Sequence, residues 1–193
     1  MRPANALTLL DTHVGIGIVD IGADPADRAG RPGLVPPSEL DDLVGGIHAS
    51  RGSASSKAEG AAASNLDLVQ VNCNFYGALG RDDKAYLVAR AIQVFTPGVP
   101  QVDEVGLLAG ENGLELLSRS GVGRDINRHH DGRDEIDTAL HKSVVGRLLQ
   151  LIRLRNGQPD FGGSFSLQDS AATALRQRRD SAAAALAARP VLG

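Results

Sequence analysis

One cysteine, one methionine, no tryptophan, two tyrosines and four phenylalanines are all that 193 residues hold of the side chains used for disulfides, soft-metal sites and sugar-stacking faces. A single thiol, Cys73, excludes an intramolecular disulfide and a cysteine-rich zinc site, and is expected to serve as a small buried hydrophobe in a reducing compartment. Six aromatics are a thin supply for stacking on sugar rings, which counts against an active carbohydrate enzyme. Charge of one sign is also missing. With 20 Lys and Arg against 23 Asp and Glu the net charge is −3. The basic residues are dispersed, which excludes the positive field that nucleic acid or an anionic membrane requires. No run of about 18 apolar residues occurs, and Met1 to Leu10 lacks the extended apolar stretch of a signal peptide. The expectation is a cytoplasmic chain without membrane or nucleic-acid partners. Its 42% hydrophobic content is enough for a core.

The densest polar feature is Gly123-Arg124-Asp125-Ile126-Asn127-Arg128-His129, where two arginines, a histidine, a carboxylate and an amide surround one isoleucine. An arginine fork grips carboxylates, phosphates or paired sugar hydroxyls. Two arginines four apart beside an aspartate suggest one held by the acid and one offered to a ligand. A surface ion-pair network is the competing reading, and these residues alone admit both. Near the start, the apolar run Leu7-Thr8-Leu9-Leu10 leads at once into Asp11-Thr12-His13-Val14-Gly15, which places polar groups at the carboxyl end of a short strand. In a (β/α)8 barrel that end carries the chemistry.

Between these motifs, Asp20 to Pro37 is rich in Gly, Pro and Asp and reads as a loop. Ser38-Glu39-Leu40-Asp41 resembles a capping box opening a helix to Ala49, with Leu40, Leu43, Val44 and Ile47 at helical spacing. Asp82-Asp83 is placed to cap a second helix, through Leu87, Val88, Ala91, Ile92 and Phe95, to the breaker Pro97-Gly98. Val99 to Leu107 alternates as a strand, and Ser143 to Asn156 has the clearest amphipathic helical pattern. Ala171 to Ala188, rich in Ala and Arg with few β-branched residues, is expected to be a weak helix or unstructured. His129-His130-Asp131 has metal-ligand types, but adjacent histidines rarely converge on one ion, so a solvated turn is expected and neither a metal nor a cofactor is assigned.

Several separated motifs together resemble one family. Leu10 to Gly17, Gly60 to Leu68, Gln70-Val71-Asn72, Ala78-Leu79-Gly80, Pro97 to Val102 and Gly123 to His129 occur in the order found in sucrose phosphorylases of the α-amylase clan, glycoside hydrolase family 13. The resemblance runs from about Ala6 to Phe165 and implies retaining transfer of a glucosyl group from sucrose to phosphate, giving glucose 1-phosphate and fructose. It implies an α/β fold: a partial (β/α)8 TIM barrel, strands seven and eight with their helices, plus an inserted small subdomain. The implied boundaries are 1–16 for strand seven, 17–79 for the subdomain, 80–160 for barrel helices seven to eight, and 161–193 for a poorly ordered remnant of a C-terminal domain.

Site roles follow by the same resemblance. His13 matches the histidine that hydrogen-bonds the glucosyl unit and Arg124 the arginine gripping the same sugar, with Asp125 as its orienting partner and Arg128-His129 as local support. Asp83 falls on a loop that exchanges contacts between fructose and phosphate, and serves equally as a helix cap. Asp103-Glu104 stands where relatives have two tyrosines. The family's nucleophile and acid/base lie on strands four and five, upstream of Met1, so no catalytic residue is assigned; Val14 occupies the place of the third carboxylate, which stabilises the transition state. The expected protein is a fragment inactive alone. Its alternatives are one half of a split enzyme, needing a complementing N-terminal half, or a non-catalytic sugar-binding pseudoenzyme. Arg51 to Ser64 is Gly, Ser and Ala with few apolar anchors, so limited proteolysis is expected to cut there first; initial cleavage inside Ser143 to Asn156 would overturn this division of the chain.

Overall fold

The computed structural model describes residues 6–13, 15–17, 30–50, 70–171, 173–180 and 184–188. Val14, Arg51 to Ser64 and the Gly60 to Leu68 motif lie outside them. In chain order the elements are β1 (Leu7–Thr8), β2 (Ile16–Gly17), α1 (Pro37–Ala49), β3 (Gln70–Val71), α2 (Phe75–Ala78), α3 (Asp83–Phe95), β4 (Val99–Pro100) and α4 (Glu104–Leu107). There follow α5 (Leu114–Ser120), a 3-10 turn over Gly123–Asn127, α6 (Arg133–Leu140), α7 (Ser143–Gly157), a second 3-10 turn over Pro159–Gly162, and β5 (Ser164–Gln168), β6 (Leu175–Asp180) and β7 (Ala184–Ala188). The chain is mixed α/β and divides into two units: Met1–Leu10, Asp82–Val102 and Arg133–Gly193 in one, Asp11–Arg81 and Asp103–Gly132 in the other.

The first unit is organised on α3. Asp82 accepts from the Lys84 and Ala85 amides at 2.7 and 2.9 Å, satisfying two of the four orphan donors of a helix start. At the other end the Thr96 hydroxyl donates to the Ile92 carbonyl and Pro97 ends the helix. Gly98 then turns at φ 111°, a conformation that suits glycine, and a Cβ there would run into the Ala6 carbonyl. That close approach sets β1 parallel to β4, Leu7 opposite Val99.

The inner face of α3 is polar. Tyr86 and Arg90 are fully buried and Gln93 nearly so. Arg90 Nε and Nη2 donate to the Tyr86 hydroxyl at 3.0 and 2.9 Å, and Nη1 donates to Gln93 Oε1 at 3.0 Å. Gln93 Nε2 in turn donates to the carbonyls of Thr8 at 2.7 Å and Gln101 at 2.8 Å. Burial of these groups is tolerated because each is bonded to the next. Beside them an apolar cluster forms from Val94, Phe95, Phe161 and Leu151, with the Phe95 and Phe161 rings edge to face at 4.8 Å. Helix α7 buries Val144, Val145 and Leu148.

Three expectations are corrected. The strand expected over Val99 to Leu107 stops at Pro100, which has no N–H to donate, and Glu104 begins α4 instead. Helix α1 starts at Pro37 with no side-chain cap, so the Ser38 capping box does not form; proline at the first position supplies the preset φ. Ala171 to Ala188 is not helical where described: β6 pairs antiparallel with β5 and β7, with Phe165 opposite Arg179 and Arg178 opposite Ala185. Its inward positions are Gln177 and Arg179, not apolar residues, so the two-residue alternation is invisible to a hydrophobicity reading.

Replacing Gln93 with Leu leaves two strand carbonyls and an Arg90 N–H without their partner, and is expected to destabilise the chain by about 2–4 kcal/mol in denaturant unfolding. A loss below about 0.5 kcal/mol would show that this network does not hold β1 to β4.

Candidate functional site

The second unit builds its core on Ile16, Val71 and Cys73, packed by Leu40, Val44 and Ile47 of α1 and by Phe75 and Ala78. Cys73, 2% exposed, is a buried hydrophobe as its isolation in the sequence suggests. Strand β2 pairs antiparallel with β3, Ile16 opposite Val71. Just before β2, Thr12 and Gly15 exchange both backbone hydrogen bonds, N to O at 3.1 and 2.8 Å, so that His13 sits in a tight turn and is exposed. Gly15 has φ 107°, and a Cβ on it would collide with the Val71 carbonyl.

That turn meets the polar heptapeptide. The same Cβ position on Gly15 lies 3.3 Å from Asn127 Nδ2. The Gly123–Asn127 segment is a 3-10 turn anchored by Ile126, fully buried, and by the Gly113 amide donating to the Ile126 carbonyl at 2.7 Å. Asp125 lies 3.6 Å from Arg128 in an ion pair. Arg124 is exposed and has no side-chain partner among the described residues. One arginine is held by the acid and the other is open to solvent. Asp125 therefore orients Arg128, rather than Arg124 as the resemblance implied. His129 and Asp131 approach at 3.7 Å.

A buried polar layer, which the sequence did not single out, fixes the base of this region. Asp11, 4% exposed, accepts from the Phe75 amide at 2.8 Å. Asn74 caps α2 by accepting from the Gly77 amide, and its own amide donates to Asn112 Oδ1 at 3.1 Å. Asn112 Nδ2 reaches Cys73 Sγ at 3.5 Å. Apart from the local Asn74 cap, these bonds join residues 38 to 64 positions apart. The one available signal was Asp11 directly after an apolar run.

His13 and Arg124 thus belong to one unit, on turns that touch through Gly15 and Asn127. Asp83 belongs to the other, exposed on the first turn of α3 next to the capping Asp82. Asp103 and Glu104 sit at the start of α4, where acidic groups oppose the helix dipole favourably. Chemically, the paired turns offer an imidazole and a free guanidinium, donors suited to hydroxyls or oxyanions.

No family model matches the chain. It is 58% identical over 167 residues to a sucrose phosphorylase of Agrobacterium vitis, across 86% of this chain and 34% of that protein. It is 49% identical over 195 residues to a sucrose phosphorylase of Bifidobacterium adolescentis, across all of this chain and 38% of that protein. Among solved structures it resembles sucrose 6F-phosphate phosphorylase from Thermoanaerobacter thermosaccharolyticum, with TM-score 0.73 and 38% identity over 93% of this chain and 36% of that one. The chain spans about a third of the length of the curated relatives it matches.

Gly15→Ala tests the junction of the two turns. Strain at positive φ adds to the collision with Val71, so a loss of about 2 kcal/mol or more is expected in thermal or denaturant unfolding. Unchanged stability would mean that the turns are not held together here.

Proposed function

From the premise that this chain belongs to the sucrose phosphorylases and matches the C-terminal part of such enzymes, we propose that it carries the glucosyl-binding edge of their site without the groups that break the glycosidic bond. His13 and Arg124 contact the glucosyl hydroxyls, and sucrose or a related glucoside with phosphate is the ligand pair; Asp83, on the first turn of α3, is carried over separately as an acceptor-side residue. The single observation that carries this reading is the junction of the His13 turn with the Arg124 turn through Gly15 and Asn127, with Arg124 left free of Asp125. No Asp or Glu of this sequence stands at the family's nucleophile or acid/base positions, and retaining transfer requires both.

The proposed architecture is strands seven and eight of a (β/α)8 barrel, with residues 17–79 as the inserted subdomain, 80–160 running from barrel helix seven to helix eight, and 161–193 deriving from a further domain. The proposed compartment is the cytoplasm; among the described residues no helix is long and apolar enough to cross a membrane.

A second reading, one half of a split enzyme, is favoured by β1 and β4. A two-stranded parallel pair is not stable in isolation, and Leu7, Leu9 and Val99 are 59%, 45% and 55% exposed. Strands from a complementing N-terminal half would cover them.

The chain alone is expected to give no phosphate-dependent release of fructose from sucrose; turnover above a no-enzyme control and abolished by Arg124→Ala would overturn the inactive reading. Mixed with a separately expressed upstream part of a working relative, it is expected to assemble yet remain slow. An aliphatic Val14 cannot balance developing positive charge, so Val14→Asp is expected to raise the rate of that complex by about 10² or more. Equal rates for the two complexes at equal occupancy would remove Val14 from the stabiliser position.

A further inference from the structure

Far along the chain from the sugar-binding residues, two arginines in the first unit share one aromatic ring. Arg155, near the end of α7, has its guanidinium carbon 4.6 Å from the centre of the Phe161 ring; Arg179, on β6, stands 6.0 Å from the same ring and 5.7 Å from Phe165. Arg179 is 4% exposed. Each is fixed by one backbone carbonyl: Arg155 Nη2 donates to Gly98 at 2.7 Å and Arg179 Nη2 to Phe161 at 2.8 Å.

Among the described residues no carboxylate pairs with Arg155 or Arg179, and the adjacent Asp180 is taken by Arg178, whose Nε and Nη2 both lie 2.9 Å from it. Arg155 Nη1 and Arg179 Nε are buried and make no hydrogen bond. An aromatic face attracts a cation but does not neutralise it, and one ring shared by two cations leaves their repulsion standing. Burial pushes both guanidinium groups below the ordinary arginine range, and the charge of Arg179 lowers Arg155 further. An anion placed between the two guanidinium groups would offset this cost.

We propose that Arg155 and Arg179 form a binding site for a small oxyanion, of phosphate or carboxylate type, beside Phe161. The planar forks suit two oxygens of one group, and charge-assisted hydrogen bonds from Nη1 and Nε complete the unused donors. The site rests on residues of the first unit alone and is independent of the roles proposed for His13 and Arg124.

The test is an NMR titration of the full chain, with arginine Nε labelled, by inorganic phosphate and in parallel by acetate at constant ionic strength. The expected result is saturable movement of the Arg179 and Arg155 Nε–H signals. Movement with phosphate alone assigns a phosphate-type ligand; movement with both assigns carboxylates as well. Arg155→Gln, which removes the less buried partner, is expected to weaken binding about tenfold, whereas Arg176→Gln, exposed on the other face of β6, leaves it unchanged. Phosphate is also expected to raise the melting temperature of the wild type more than that of Arg155→Gln. No saturable shift with either anion, or equal shifts at Arg176 and Arg178, overturns the site.

Discussion

A carboxamide joins β1 to β4 in the first unit. Gln93 spends both of its N–H groups on carbonyls of different strands, Thr8 on β1 and Gln101 just past β4, while its oxygen is held by Arg90. Two strands of two residues each contribute too few ladder bonds to persist on their own. The helix that crosses between them supplies the missing bonds from its side. The pairing depends equally on Gly98, since any Cβ there would push the Ala6 carbonyl away. Capping by Asp82 and termination at Pro97 fix the length of α3, and so place Gln93 in its last turn.

The second unit solves a similar problem with different chemistry. Here polar side chains bond to backbone groups far along the sequence, Asp11 to Phe75 and Asn112 to Asn74. The exposed ion pair of Arg81 with Glu111 at 2.8 Å adds little, being solvated at both ends. What holds the His13 turn is its double backbone hydrogen bond, with Gly15 so close to the Val71 carbonyl and the Asn127 amide that no side chain fits there. On so short a turn His13 is positioned by backbone geometry. Arg124 shows the complementary arrangement, a rigid 3-10 turn below and a free head group above.

Much of this was legible in advance where local rules suffice. The Asp82 cap, the Pro97-Gly98 stop and the amphipathic spacing of Ser143 to Asn156 each depend on neighbours within a few residues, and each is realised. The failure over the last sheet has a cause outside local sequence. Leu175 to Asp180 hides a strand because its inward side chains are Gln177 and Arg179, made acceptable by the Thr96 hydroxyl, the Phe161 carbonyl and two aromatic faces that no window of sequence contains. Ala184 to Ala188 favours a helix by propensity and becomes a strand through its partner β6.

The sequence by itself determined the likeness to one family, which the order of its separated motifs carries. It determined the start and stop of α3, because capping and proline act locally. Only the tertiary structure decided which arginine of the heptapeptide Asp125 holds, that Gln93 rather than an apolar residue spans β1 and β4, and that Arg155 and Arg179 share one phenylalanine. Those outcomes turn on desolvation and on hydrogen bonds between groups distant in the chain, and both are settled only once the chain has folded around them.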